Sequence, residues 1–188
     1  MTWEDDHFVA GDAALDFANT VFRRRPELGS DLLTDTAVLA EWLRRAGVVA
    51  GVVAGEQEQA DGAGVDLVEA RQLRALLWEL FDACVEGRDL PGAALASVFE
   101  VLRRGLGDGG LVVSAEGVPT VRGSRHALAA VALRAVKLMV TPGGPPIRTC
   151  DRCGWFFLDA SRGRRRRWCS MKTCGNQAKA ARYRSAHA

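Results

Sequence analysis

Four cysteines near the C-terminus, Cys150, Cys153, Cys169 and Cys174, are spaced C-x2-C-x15-C-x4-C. Two residues between thiolates let the backbone turn so that both sulfurs point at one ion. With the second pair, separated by four residues, the four thiolates close a tetrahedral shell around Zn2+ and leave no open position for a reacting water. The expected cofactor is one structural zinc per chain. An iron–sulfur cluster also takes four thiolates, but the spacing and the basic surroundings favour zinc. The gap between the pairs holds Arg164, Arg165, Arg166 and Arg167, while Lys172, Lys179, Arg182 and Arg184 surround or follow the last ligand. Arginines on a rigid metal scaffold suit phosphate contacts, and Asn176 and Gln177 can read adenine if they face a groove. The competing readings are a solvated turn for the arginine run and a helix brace for the two amides. The fifth cysteine, Cys84, falls on an apolar helical face and reads as core packing.

Catalytic constellations are not evident. His7, His126 and His187 lie far apart, with no neighbour suited to general base work. The zinc deaminase signature is absent, and Gly109-Gly110 lacks the strand and helix context of a phosphate loop. The sequence therefore reads as a non-enzyme; an enzymatic alternative would have to centre on Asp16 and Asn19. Those two, with Thr20, fall at i, i+3 and i+4 on one side of an expected helix, where the residues alone suggest a solvent-facing polar stripe.

The elements that must position these groups follow from periodicity. Residues 12–22 read as a short helix with Asp12 as its cap, and Leu15, Phe17, Ala18, Val21 and Phe22 on its apolar side. Thr34 is the expected cap of a second helix through Val38, Leu39, Trp42 and Leu43, ending at Gly47. Residues 50–64 read as a loop. A long helix from Asp66 to Val85 carries Leu73, Leu76, Leu77, Leu80, Phe81 and Cys84 at helical spacing. Another spans 91–105, with Pro91 suited to its first turn. Leu111–Val113 and Val118–Val121 read as a hairpin around Glu116-Gly117, and Ser124 as the cap of a helix through Val140. The expected fold is a mainly α N-terminal domain with a small β-hairpin, followed by a small treble-clef-like four-cysteine finger. In that finger, Trp155 to Asp159 form a strand, the hairpin returns at Arg167-Trp168-Cys169, and a helix runs from about 175 to 185.

At 188 residues the chain has room for one ordinary domain and a small module. Hydrophobic and charged fractions of 48% and 26% exclude a disordered chain. No apolar run approaches the ~18 residues of a membrane span, and the acidic N-terminus is unlike a signal peptide, so no membrane partner and a cytoplasmic location are expected. Reduced thiols there favour metal over disulfides. Charge divides sharply. Residues 1–146 hold 14 Lys/Arg against 21 Asp/Glu, and residues 147–188 hold 11 against 2, so a segment at −7 precedes one at +9. Thr141-Pro142-Gly143-Gly144-Pro145-Pro146 marks the boundary. The expected domains are 1–141, a linker at 142–146, and 147–188.

Cys150-x2-Cys153-Gly154-Trp155-x-Phe157-x-Asp159, then Arg167-Trp168-Cys169-Ser170-Met171-x-x-Cys174-Gly175-Asn176, resembles the CGNR zinc finger. Leu15-Asp16-Phe17-x-Asn19-Thr20 and the later Trp42-Leu43-x-x-Ala46-Gly47 resemble the ABATE domain that precedes this finger in bacterial proteins. The resemblance implies a stress-related transcription regulator with DNA as partner. It also moves Asp16, Asn19 and Thr20 toward a ligand-lining or interdomain face. An effector or protein partner for the N-terminal domain, and a homodimer, fit the same picture. The alternative is an adaptor whose finger binds acidic protein surfaces or RNA. One position departs: Gln177 stands where the family carries arginine, which removes a fixed charge and a planar donor fork.

Overall fold

The computed structural model describes residues 2–49, 64–107, 110–121 and 126–187. The loop expected over 50–64, apart from Gly64, and the expected Ser124 cap lie outside these residues. Helix α1 (Ala13–Ala18) starts at Asp12, whose carboxylate accepts the Ala14 N–H at 2.8 Å. It is shorter than the expected 12–22. The Thr20 hydroxyl donates back to the Phe17 carbonyl at 2.8 Å, and the chain turns away to bridge Val21 with Asp31. Helix α2 (Thr36–Arg45) is capped by Asp35 rather than Thr34. The Asp35 carboxylate accepts the Val38 N–H at 2.8 Å, and the Thr34 hydroxyl donates to Asp35 instead. An ionised acceptor at a helix N-terminus meets the backbone donors better than a hydroxyl does.

Helix α3 (Leu67–Glu86) is capped by Asp66 and closed by Gly87; it buries Leu73, Leu77, Leu80 and Phe81, with Leu76 and Cys84 half-buried at the margin. Helix α4 (Gly92–Gly107) begins beside Pro91, whose carbonyl accepts the Leu95 N–H. Strands β1 (Leu111–Val113) and β2 (Pro119–Val121) pair antiparallel with Val112 opposite Thr120. They lead into α5 (Ala127–Val140), which is buried along most of its length. Helices α4 and α5 approach so closely that a Cβ on Gly105 would lie 2.1 Å from the Ala129 Cβ, so only glycine fits there. Among the described residues no helix is long and apolar enough to cross a membrane.

Strands β3 (Ile147–Thr149) and β4 (Phe156–Leu158) form the second hairpin, with Arg148 opposite Phe157. The hairpin partner therefore precedes the first cysteine pair, and the expected return at Arg167–Cys169 is not a strand. The knuckle itself is the turn: the Cys150 N–H donates to the Trp155 carbonyl at 2.8 Å and the Gly154 N–H to the Cys150 carbonyl at 2.9 Å. That closure places β3 beside β4, and Arg167 keeps one link to the hairpin, its carbonyl accepting the Asp151 N–H. A single π-turn (Met171–Gly175) and helix α6 (Asn176–Ala186) complete a treble-clef-like finger. Phe156 and Phe157 are fully buried in the same core as Phe17, Trp42 and Phe81, and the Phe81 and Phe156 rings meet edge to face at 5.4 Å. Burying a side chain of that size stabilises by about 1.5–3 kcal/mol, so the finger's aromatics complete the core of the helical part.

Candidate metal centre and basic surface

The four sulfurs lie within 4.8 Å of one another. Two of the gaps are resolved individually, 3.6 Å from Cys153 to Cys169 and 3.7 Å from Cys169 to Cys174. A regular tetrahedron with Zn–S bonds of 2.3 Å has edges of about 3.8 Å. Spacing, donor set and burial thus fit one structural zinc ion, held by Cys150, Cys153, Cys169 and Cys174. In the metal-free cluster, hydrogen bonds from the Cys153, Cys169 and Cys174 thiols lower the Cys150 pKa below the ordinary thiol range, against the opposing effect of burial; zinc would replace these bonds with four thiolate ligands. The Cys153 carbonyl accepts the N–H groups of Arg24 and Arg25 at 2.7 and 3.1 Å, so the knuckle is gripped from the N-terminal part of the chain. Gly154 has a φ of +74°, and a Cβ there would meet the Arg25 backbone nitrogen at 2.9 Å; the turn and the close approach both require glycine. On the other side the Ser170 side chain caps the π-turn that presents Cys174.

The loop between the pairs is organised by Asp159, which the sequence marks only as a motif position. Its carboxylate is buried and accepts from the Ser161 hydroxyl and N–H and from the Arg166 N–H, with the Arg148 guanidinium 3.5 Å away. Burial pushes this carboxyl up, but the hydrogen bonds and the nearby charge outweigh it and hold the group below the usual carboxylate range.

The arginine run consequently divides. Arg166 donates to the carbonyls of Trp168 and Cys169 and lies 4.7 Å over the Phe157 ring; Arg167 pairs with Asp151 at 2.6 Å and covers Trp168. Arg166 braces the finger, and Arg167 adds an exposed ion pair at its surface. Arg164 and Arg165 are exposed, and with Lys172, Lys179, Arg182 and Arg184 their side chains make no hydrogen bond or ion pair among the described residues. The Asn176 amide donates to the Lys172 carbonyl across the junction of π-turn and α6, while Gln177 is exposed.

Asp16, Asn19 and Thr20 are all buried, so no polar stripe faces solvent there. Asn19 reaches across the chain to β4: its Nδ2 donates to the Phe156 carbonyl at 2.8 Å and its Oδ1 accepts the Phe156 N–H at 2.9 Å. Thr20 accepts from Arg74, which is itself held in a two-pronged ion pair by Asp31. Trp155 adds an indole N–H bond to the Val21 carbonyl, and Arg24 links Asp82 to the Gly154 carbonyl while stacking on Phe156. Arg24 and Arg74 carry no signal in the sequence, and the motif that holds Trp155 gives no hint of its contact, because each gains its role from a partner distant along the chain.

Asp16 receives the Ala10 N–H at 2.9 Å, yet burial dominates and pushes its pKa up to about 7. A raised folded-state pKa means that the stabilising contribution is complete below about pH 4 and is lost as pH rises through about 7. Asp16→Asn imitates the neutral form at every pH. Relative to wild type, the zinc-loaded variant gains about 2 kcal/mol between about pH 5.5 and about pH 8, measured by urea unfolding. Parallel pH profiles for the two proteins would contradict this assignment.

Two family models match the chain. One, ABATE, described as "Putative stress-induced transcription regulator", covers residues 11–142, and the other, the CGNR zinc finger, covers residues 147–187. No curated protein matches the chain.

Proposed function

The chain belongs to the ABATE family and carries a CGNR zinc finger behind that domain, and from this premise we propose that it is a DNA-binding transcription regulator. In this reading residues 147–188 contact DNA, residues 142–146 link the two parts, and residues 1–141 sense a ligand or a protein partner. The observation that carries it is helix α6. It starts directly behind the zinc ligand Cys174, runs for 11 residues, and buries none of them. A helix with no buried face contributes little to a core and leaves most of its surface available for a partner. Lys179, Arg182 and Arg184 make that surface basic. Arg164 and Arg165 extend it on the neighbouring loop, within a segment of charge +9. Four thiolates on the zinc leave no open coordination position, so the metal acts as a staple that sets the helix against the loop. A lone finger makes a small DNA interface, which fits a homodimer paired through residues 1–141.

Fluorescence anisotropy against duplex DNA from the gene's own upstream region, with a scrambled control and a salt series, tests this reading. Six phosphate contacts imply a slope of log K against log salt of about −5. The Arg164→Ala/Arg165→Ala variant lowers that slope by about 2 without disturbing the contacts made by Arg166 and Arg167. Preference for the native sequence supports a regulator. Absence of binding at low salt with zinc loaded overturns DNA as the partner, leaving an acidic protein surface or RNA to be tested on the same helix.

A further inference from the structure

A cavity of about 490 Å³ lies between the β1–β2 hairpin, the last turns of α5 and the 141–146 segment. Its polar side holds Arg134 and Lys137, one turn apart on α5. The Arg134 side chain is only 14% exposed, yet its five donors are poorly answered. Its Nε meets the Pro119 carbonyl at 3.3 Å, and its Nη1 is 4.0 Å from Asp12, the outer limit of an ion pair. Asp12 is itself engaged in capping α1. A guanidinium this covered normally faces a full set of acceptors, and Arg134 leaves its remaining donors to the cavity it lines. Lys137 is exposed and holds the Gly117 carbonyl at 2.9 Å, fixing the hairpin turn at the rim. Against these two cations stands the one carboxylate of Asp12, so the site favours a monoanion. Val118, Leu138, Pro146 and Ile147 supply an apolar wall. The volume falls within the ordinary range of small-molecule pockets.

We propose that this cavity binds a small monocarboxylate with an apolar body, its carboxylate paired in two-pronged fashion with Arg134. The occupied cavity bears on the 141–146 segment that leads into β3; this signalling consequence rests on the regulator reading above, whereas the binding itself does not. A planar fork of donors matches a carboxylate, and the neighbouring Asp12 disfavours a dianionic phosphate.

Benzoate is the probe, added to the zinc-loaded full chain and followed by amide chemical shifts. Nine non-hydrogen atoms at ordinary ligand efficiency correspond to a Kd of about 10 mM or tighter. Shifts are expected at 117–119 and 134–147, with no saturable shift from benzyl alcohol. Arg134→Gln weakens benzoate at least tenfold. Should that variant lose its dispersed spectrum, Lys137→Glu, at an exposed position, still adds a repelling charge at the rim and weakens benzoate severalfold. Equal shifts with benzyl alcohol, shifts confined elsewhere, none at about ten times that Kd, or tighter binding of phenyl phosphate would each overturn the proposal. Anisotropy on the same samples separates the two readings. DNA binding without benzoate binding removes this site alone, and benzoate binding without DNA binding removes the regulator reading alone.

Discussion

Stripping the zinc, by chelation or by Cys169→Ser, unfolds the finger and lowers the melting temperature of the remainder. Structural zinc contributes an apparent ~10–16 kcal/mol in finger peptides, which matches or exceeds the whole stability of an ordinary domain. Without it, strands of three residues and a helix with no buried face have little to hold them. The effect does not stop at residue 147. Phe156 and Phe157 belong to the same core as Phe17 and Phe81, and the Cys153 carbonyl is an acceptor for Arg24 and Arg25. Loss of the finger therefore exposes one face of α1 and α3. Tryptophan fluorescence reads this directly, because Trp155 and Trp168 are half-buried within the finger. A red shift accompanied by loss of α6 helicity, with α1 to α5 retained at reduced melting temperature, is the expected outcome. A metal-free protein whose fluorescence and melting are unchanged would contradict a structural zinc.

Asn19→Ala destabilises the zinc-loaded protein by about 2–4 kcal/mol, because it leaves both the N–H and the carbonyl of Phe156 buried without a partner. That is more than the loss of a single good hydrogen bond. Trp155→Phe provides the comparison: it removes one indole N–H bond to the Val21 carbonyl, at a cost of about 1 kcal/mol. Denaturant unfolding measures both. The same Asn19 variant releases zinc faster to a competing chelator, since β4 leaves the knuckle directly and Asn19 holds its first residue. If Asn19→Ala costs no more than Trp155→Phe and leaves the release rate unchanged, the coupling between α1 and the metal site is absent.

Several features were legible along the chain because their causes are local. Asp12 caps α1, Gly47 follows the end of α2, and apolar residues recur every three to four positions through α3. The cysteine spacing likewise points to a metal without any knowledge of the fold. Where the expectations failed, a nearby group won a competition. Asp35 displaced Thr34 at the start of α2, since a carboxylate is the stronger acceptor. Helix α1 ended at Ala18 because Asn19 and Thr20 bond elsewhere. The knuckle paired its own flanks, β3 with β4, before the more distant Arg167–Cys169 segment could serve.

What the sequence by itself determined is the list of local events: the helices, the thiolate set, and the concentration of positive charge behind residue 146. These depend on spacing and composition, which are present in any conformation. Only the tertiary structure decided which charges are available and which polar groups are buried. Arg166 and Arg167 look identical to Arg164 and Arg165 in the chain, yet Asp159, Asp151 and two aromatic rings engage the first pair, Arg167 through an exposed ion pair, while the second pair makes no side-chain bond among the described residues. Asp16, Asn19 and Thr20 share a helical spacing that suits a solvated stripe. They are buried because each meets a partner inside: Asn19 the N–H and carbonyl of Phe156 on β4, 137 residues along the chain, Thr20 the Arg74 guanidinium, and Asp16 the Ala10 N–H. The Arg134 cavity has the same origin, being a space between elements that no local pattern encodes.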